Sequence, residues 1–234
     1  NKYMENEFQL YSKLLSLPLF QGFGKADLGD VVAHTKFDFH KYEPEETIID
    51  ENENCNHLMF LLNGIAEVVT IAADHCYQII EDISSPEILQ PERLFGLIQN
   101  YTKTFKAKTT CRILRIDKNE VMRLSDNYMI FRINIMNMLS TVIQKQERQL
   151  LRKYPENLEG RIIKFISDRC LRPAGRKIIN IKMTQLAKEI NDSRLDVSKA
   201  LNRMEEMGIL ELKRGYIYIE KIETAMMQTQ KFAI

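Results

Sequence analysis

Apolar positions change their spacing along the chain, and each change predicts a different kind of element. Phe8, Leu10, Tyr11, Leu14 and Leu15 make a helical stripe, so residues 1 to about 30 are expected to be largely helical, with Leu19 and Phe20 ahead of glycines at 22 and 24. From Val32 to about Ile116 the text turns into short β-branched and aromatic runs. These are broken at Glu43-Pro44-Glu45, Glu51-Asn52-Glu53-Asn54, Asn63-Gly64, Ala73-Asp74 and Ser84-Ser85-Pro86. Such a rhythm predicts a small antiparallel sandwich or barrel. Next comes a long helix, capped by Asp126 or Asn127 and stopped near Lys153 by Tyr154-Pro155. Met136, Leu139, Ile143, Gln146 and Leu150 form a heptad-like seam on it, and Phe131, Ile135, Met138 and Val142 a second stripe. One stripe can pack on the sandwich and the other on a second copy, which predicts a parallel homodimer with Gln146 facing its twin.

The most informative stretch is Met183 to Gly208, where two short helices are expected around a tight turn. Leu186, Ala187, Ile190, Val197, Ala200 and Leu201 fall where a helix pair faces inward, and Asn191 is a residue that tolerates positive φ at the turn. Ser193 is the expected N-cap of the second helix. That helix carries Arg194, Ser198, Lys199, Asn202 and Arg203 on its other faces, which are the donors and short polar groups that base edges and phosphates require. Gly208 to Glu220 then reads as a β-hairpin around Lys213-Arg214-Gly215, a basic wing whose tip would lie over a phosphate backbone. An ordinary helical hairpin with a solvated charged face, followed by a turn that only caps the domain, remains the plainer alternative.

These residues carry a resemblance to the Crp/Fnr family of bacterial transcription regulators that extends over nearly the whole chain. Ser193-Arg194-Leu195-Asp196-Val197-Ser198-Lys199 is similar to the family's Ser-Arg-Glu-x-Val-x-Arg, with Leu195 in place of the glutamate that accepts from cytosine. Glu159-Gly160-Arg161-Ile162 resembles the start of the family's DNA-binding domain, and His40 to Val69, with Gly64 at a turn, resembles its first jelly-roll strands. The resemblance implies an α+β chain with an N-terminal jelly-roll effector domain of cyclic-nucleotide-binding type (1–125), a dimerisation helix (126–153) and a C-terminal winged helix-turn-helix (154–234). Members that bind a cyclic nucleotide hold its phosphate with an Arg-Ser or Arg-Thr pair. Alignment through Cys111 and Gly160 puts Tyr101-Thr102 there and Gln90-Pro91-Glu92 at the ribose segment, so the arginine is missing. Gln90, Glu92, Arg93, Tyr101, Thr102 and Gln146 are the effector-pocket candidates.

Charge agrees with this division. The chain has 33 Lys and Arg against 32 Asp and Glu. Residues 155–234 hold 15 against 11, a net of +4, and the rest 18 against 21, a net of −3. Cys55, Cys76, Cys111 and Cys170 lack CxxC spacing, and the four histidines lack the His-x-His spacing of a barrel metal site, so no metal or cofactor is expected. No phosphate loop, G-x-S-x-G elbow or HExxH is present, and the chain is not expected to be an enzyme. No apolar run reaches membrane-spanning length, and a cytoplasmic protein is expected. The sequence thus predicts a homodimer that binds palindromic double-stranded DNA, with an effector still to be identified and with RNA polymerase as a partner if it activates. The alternatives are a sensor of a cyclic nucleotide or other small molecule and, from another class, a β-barrel metal enzyme.

Overall fold

A computed structural model describes residues 11–230. The first elements are α1 (residues 11–16), a 3-10 turn at Pro18–Phe20 and α2 (Lys25–His34). Strands β1 (Phe37–Tyr42), β2 (Thr47–Ile49), β3 (His57–Asn63), β4 (Ile65–Ile71), β5 (Tyr77–Ser84), β6 (Glu87–Leu89), β7 (Thr104–Ala107) and β8 (Cys111–Asp117) follow. Helices α3 (Lys118–Asn127), α4 (Met129–Leu150) and α5 (Leu158–Asp168) lead into β9 (Lys177–Ile181), α6 (Met183–Glu189), α7 (Arg194–Glu206), β10 (Glu211–Lys213), β11 (Tyr216–Ile219) and α8 (Ile222–Gln230). Phe8 and Leu10 of the expected first helix lie outside the described residues. The chain packs as two compact units. One comprises residues up to Ala66, Ser84–Tyr101 and Lys106–Leu150; the other comprises Glu67–Ile83, Thr102–Phe105 and everything from Leu151.

In the first unit, β1, β8, β3 and β6 form an antiparallel sheet in that order. Phe37 lies opposite Ile116 and Tyr42 opposite Cys111. The sequence-expected turns are where the backbone turns over: Glu45 and Asn52 have φ of 73° and 71°. Gly64 has φ of +99°, and a Cβ there would come within 2.5 Å of the Thr110 carbonyl oxygen, so this turn requires glycine. Phe20 is fully buried and centres the helical side of the core, with ring centroids 5.5 Å from Phe131 and 6.4 Å from Phe60.

Two expectations are corrected here. Helix continues through Val32 as far as His34, so the β-rich region begins at Phe37. The long helix begins at Met129 and is opened neither by Asp126 nor by Asn127, which close the preceding helix α3. Asp117 caps α3 by accepting from the Asn119 N–H at 2.8 Å, and Tyr128 (φ −124°, ψ 105°) breaks the helical path before α4. The α4 helix ends at Leu150 rather than Lys153.

In the second unit, strands run in the order β10-β11-β9-β5-β4. Ile162, Ile166, Ile179, Leu186, Val197, Leu201, Met204 and Ile217 build its core, together with Ile79 from β5. By sequence order residues 67–83 fall inside the expected effector region, yet they pack here, because Tyr77–Glu81 pair in register with Ile181–Lys177. Glu81 and Lys177 face each other in that ladder, both with side chains 0% exposed, Nζ to Oε1 3.0 Å. The Glu81 carboxylate also accepts the Leu171 and Arg172 N–H groups at 2.6 and 2.9 Å, and Lys177 donates to the Ala174 carbonyl at 2.9 Å. A buried charge pair survives only with such additional partners. Next to it, the Arg176 guanidinium grips Asp82 through Nε and Nη2 at 2.9 and 2.7 Å.

Candidate nucleic-acid interface

The helix pair is α6 and α7. Leu186, Ala187, Ile190, Val197, Ala200 and Leu201 are all buried, as their spacing predicts. Asn191 takes φ of 53°, as expected of a turn asparagine. Ser193 caps α7: its hydroxyl accepts from the Asp196 N–H at 3.1 Å and donates to the Asp196 carboxylate at 2.7 Å.

Other residues fix this turn, and the sequence reading did not single them out for it. Arg161 on α5 pairs with Asp192 at 2.5 Å and donates to the Ile190 carbonyl at 3.3 Å. The Ser193 N–H and then Arg161 hold the Asp192 carboxyl below the usual carboxylate range. The α5 helix is in turn started by Asn157, whose side-chain oxygen accepts from Gly160 N–H at 2.6 Å and whose amide donates to the Thr229 carbonyl at 3.0 Å. A Cβ on Gly160 would overlap Asn157 Oδ1 and Pro155, so the glycine of Glu159-Gly160-Arg161-Ile162 leaves room for this cap. An asparagine ahead of an apolar helix is the one local signal that could have revealed the cap.

Of the candidate contacts on α7, Arg194, Lys199 and Asn202 are exposed and Ser198 is half-buried. Among the described residues no ion pair holds Arg194 or Lys199. Arg203 Nε and Nη2 both reach Glu159 Oε1, at 2.9 and 2.6 Å, so its exposed guanidinium links α7 to α5. The basic hairpin is β10 and β11, in register Lys213↔Tyr216, leaving Arg214-Gly215 as a two-residue tip with Gly215 at φ of 93°. Arg214 is exposed there without an ion pair among the described residues. Lys213 instead pairs with Glu211 at 2.6 Å, which raises its pKa, but the pair is half-exposed and screened.

The effector candidates differ in burial. Tyr101 is a core residue, 2% exposed, and donates to the His57 carbonyl at 3.2 Å, with burial raising its phenol pKa. Thr102, its neighbour, is exposed. Gln90 is buried at a left-handed position (φ 42°, ψ 56°) before the Pro91–Arg93 turn, where Glu92 and Arg93 are half-buried. Arg93 Nε is buried with no hydrogen-bond partner among the described residues. Lys103 donates to Thr70 at 2.6 Å, and Gln146 is exposed on α4.

The seam on α4 is divided as its two stripes imply. Phe131 is buried, with Ile135, Met138 and Val142 half-buried, while Met136, Ile143 and Leu150 are 53%, 64% and 86% exposed and Leu139 is half-buried. Cys55, Cys111 and Cys170 are buried free thiols and Cys76 is half-buried. Burial pushes the Cys170 thiol up to about 12, which makes it unreactive. No cluster of three metal-ligating side chains occurs among the described residues, and none of their helices is long and apolar enough to cross a membrane.

Comparison with known proteins adds three findings. Residues 39–128 match the cyclic nucleotide-binding domain family. The potassium channel SKOR of Arabidopsis thaliana is 29% identical over 115 residues, which is 46% of this chain and only 13% of the channel's length. Among solved structures, a Crp/Fnr-family putative transcriptional regulator of Eubacterium rectale has a TM-score of 0.51 at 14% identity, covering 90% of this chain and 98% of that one. The c-di-GMP-responsive regulator CLP of Xanthomonas campestris has a TM-score of 0.50 at 15% identity, covering 84% and 99%. The sensor domain of the regulator DNR of Pseudomonas aeruginosa has a TM-score of 0.51 at 15% identity, covering 66% and 98%. Residues 39–128 thus match the cyclic nucleotide-binding domain family, and the chain has the fold seen in the Crp/Fnr transcription regulators.

Proposed function

We propose that this chain is a homodimeric, sequence-specific DNA-binding transcription regulator, with effector region 1–125, a dimerisation segment 126–153 that contains α4, and winged helix-turn-helix 154–234. One observation carries the reading: α7 turns Arg194, Ser198, Lys199 and Asn202 outward from a tightly built turn, and the adjacent hairpin raises Arg214 at its tip. Long donors beside short polar groups suit base edges, and a basic tip suits phosphate. The exposed Met136, Ile143 and Leu150 stripe supports a second copy, since two recognition helices one helical turn apart meet successive major grooves of a palindrome. Selection of bound sequences from a random DNA pool tests the proposal. A palindromic motif is expected, and recovery of unenriched DNA refutes it.

Within that operator, Arg194→Ala is expected to cost about 1–3 kcal/mol at one base pair and to relax preference there, because the side chain begins the helix with the length to bridge guanine O6 and N7. Arg214→Ala should weaken every sequence alike and lower the salt slope by about one. Binding profiles over single-base operator variants separate the two. Equal losses on all sequences for Arg194→Ala would make it a phosphate clamp.

The match of residues 39–128 to cyclic nucleotide-binding domains, together with the c-di-GMP response stated for the CLP regulator, supports sensing of a small ligand as the input. Cyclic AMP is not expected to be that ligand. Its phosphate needs a cation or several aligned N–H donors, and the position aligned with the phosphate-binding arginine holds Tyr101, whose hydroxyl is engaged by the His57 carbonyl. Calorimetry should give no binding tighter than millimolar; a micromolar Kd would overturn this and direct attention to Arg93.

A further inference from the structure

We propose that Leu195 is a base-reading residue that selects thymine through its C5-methyl group. The inference rests on the DNA-binding reading and adds the identity of one base pair. With about 100° of turn per residue, the buried side chains Val197, Ala200, Leu201 and Met204 occupy one arc of α7, and the direction opposite its centre falls on Leu195. Asn202 and Lys199 lie within roughly 40° of it on either side. A single exposed leucine is ordinary on a protein surface. This one, 65% exposed, stands at the middle of the outward face, flanked by the polar residues that a groove would engage.

The acid nearest to it already has a partner. Asp196 is drawn toward the helix start by the Ser193 hydroxyl, and at one residue on it lies about 100° around the helix from Leu195. Glu205 is likewise occupied, accepting the Leu212 N–H at 2.7 Å. In the major groove the apolar feature of a base edge is the thymine methyl; cytosine presents an amino donor in the same region, which a leucine would desolvate without a partner. Burying one methyl-sized group against Leu195 corresponds to about fourfold in affinity per half-site, or about fifteenfold over a palindrome.

The test uses the full chain and an operator from the random pool, with each thymine replaced in turn by deoxyuridine, a change that removes only the methyl. One thymine per half-site is expected at which the replacement weakens binding about fourfold. Leu195→Ala should be indifferent to deoxyuridine at that position while keeping its preferences elsewhere. Leu195→Glu should move the preference there from thymine to cytosine, because a carboxylate accepts from the cytosine amino group. Thermal unfolding of both variants near that of the parent chain is expected, as the side chain is exposed. A selected operator at which no methyl effect disappears in Leu195→Ala overturns this role and leaves the DNA reading standing. Failure to select any sequence overturns both.

Discussion

Lys177→Met is expected to destabilise the chain by about 3–5 kcal/mol, the cost of leaving one member of a buried ion pair without its partner. Both side chains are fully buried, and the lysine gives its charge to a carboxylate that also accepts two backbone N–H groups. The size of the effect comes from Glu81 rather than from the lost attraction: a carboxylate in a protein interior must find a counter-charge, take up a proton or pull water inward. Glu81→Gln in the Lys177→Met background should therefore recover part of the loss, since a neutral amide can still accept from Leu171 or Arg172. Urea unfolding of the parent chain and the two variants measures this, and hydrogen exchange locates it. Protection should fall first at the ladder between Tyr77–Glu81 and Lys177–Ile181. A loss under about 1 kcal/mol for Lys177→Met would mean that the pair is hydrated in solution.

That pair also marks where the sequence stops being legible. The inward positions of α6 and α7 could be read because a helix repeats its face every three or four residues, and Val197, Ala200 and Leu201 obey that rule locally. Asn191 and Gly64 could be read because few residue types accept a positive φ. Glu81 and Lys177 meet across 96 positions of sequence, and a lysine opening the strand Lys-Ile-Ile-Asn-Ile gives no local sign that it is buried rather than solvated. The start of α4 was hidden for another reason: Asp126 and Asn127 are of the residue types that cap a helix, yet both lie in the last turn of α3, and the next helix opens only after Tyr128.

The candidate site divides along the same line. Exposure of Lys199 follows from helix phase, that of Arg194 from its place as the first residue of α7, and that of Arg214 from hairpin register, all of them local. Whether a cation is free to meet DNA is decided by distant neighbours. Arg203 has the right type and phase, yet Glu159 from α5 holds it, and Lys213 shares Glu211 across its own short strand. Tyr101 shows the complement: alignment places it at a polar ligand position, while its ring fills the core and its hydroxyl is used by a backbone carbonyl.

Met136→Glu combined with Ile143→Glu is expected to abolish the proposed dimer and, with it, to remove most operator affinity. The two residues are seven apart, one heptad, on the exposed seam of α4, at 53% and 64% exposure in the single chain. In a parallel pair each would face its own counterpart, so the double substitution places two pairs of like charges in a desolvated seam while removing apolar area that only a partner can cover. The helix itself should tolerate the change, because glutamate is a good helix former and neither side chain contributes to the buried core of its own unit. Circular dichroism should thus be unchanged while sedimentation velocity reports half the mass. The consequence for DNA follows from linkage of two half-site contacts: once separated, each module loses the effective concentration that its partner supplied, and affinity for the full palindrome should fall by roughly 10²–10⁴-fold. An isolated half-site should be bound almost as before. A double variant that still sediments as a dimer would place the interface elsewhere, and one that is monomeric but keeps full operator affinity would separate dimerisation from DNA reading.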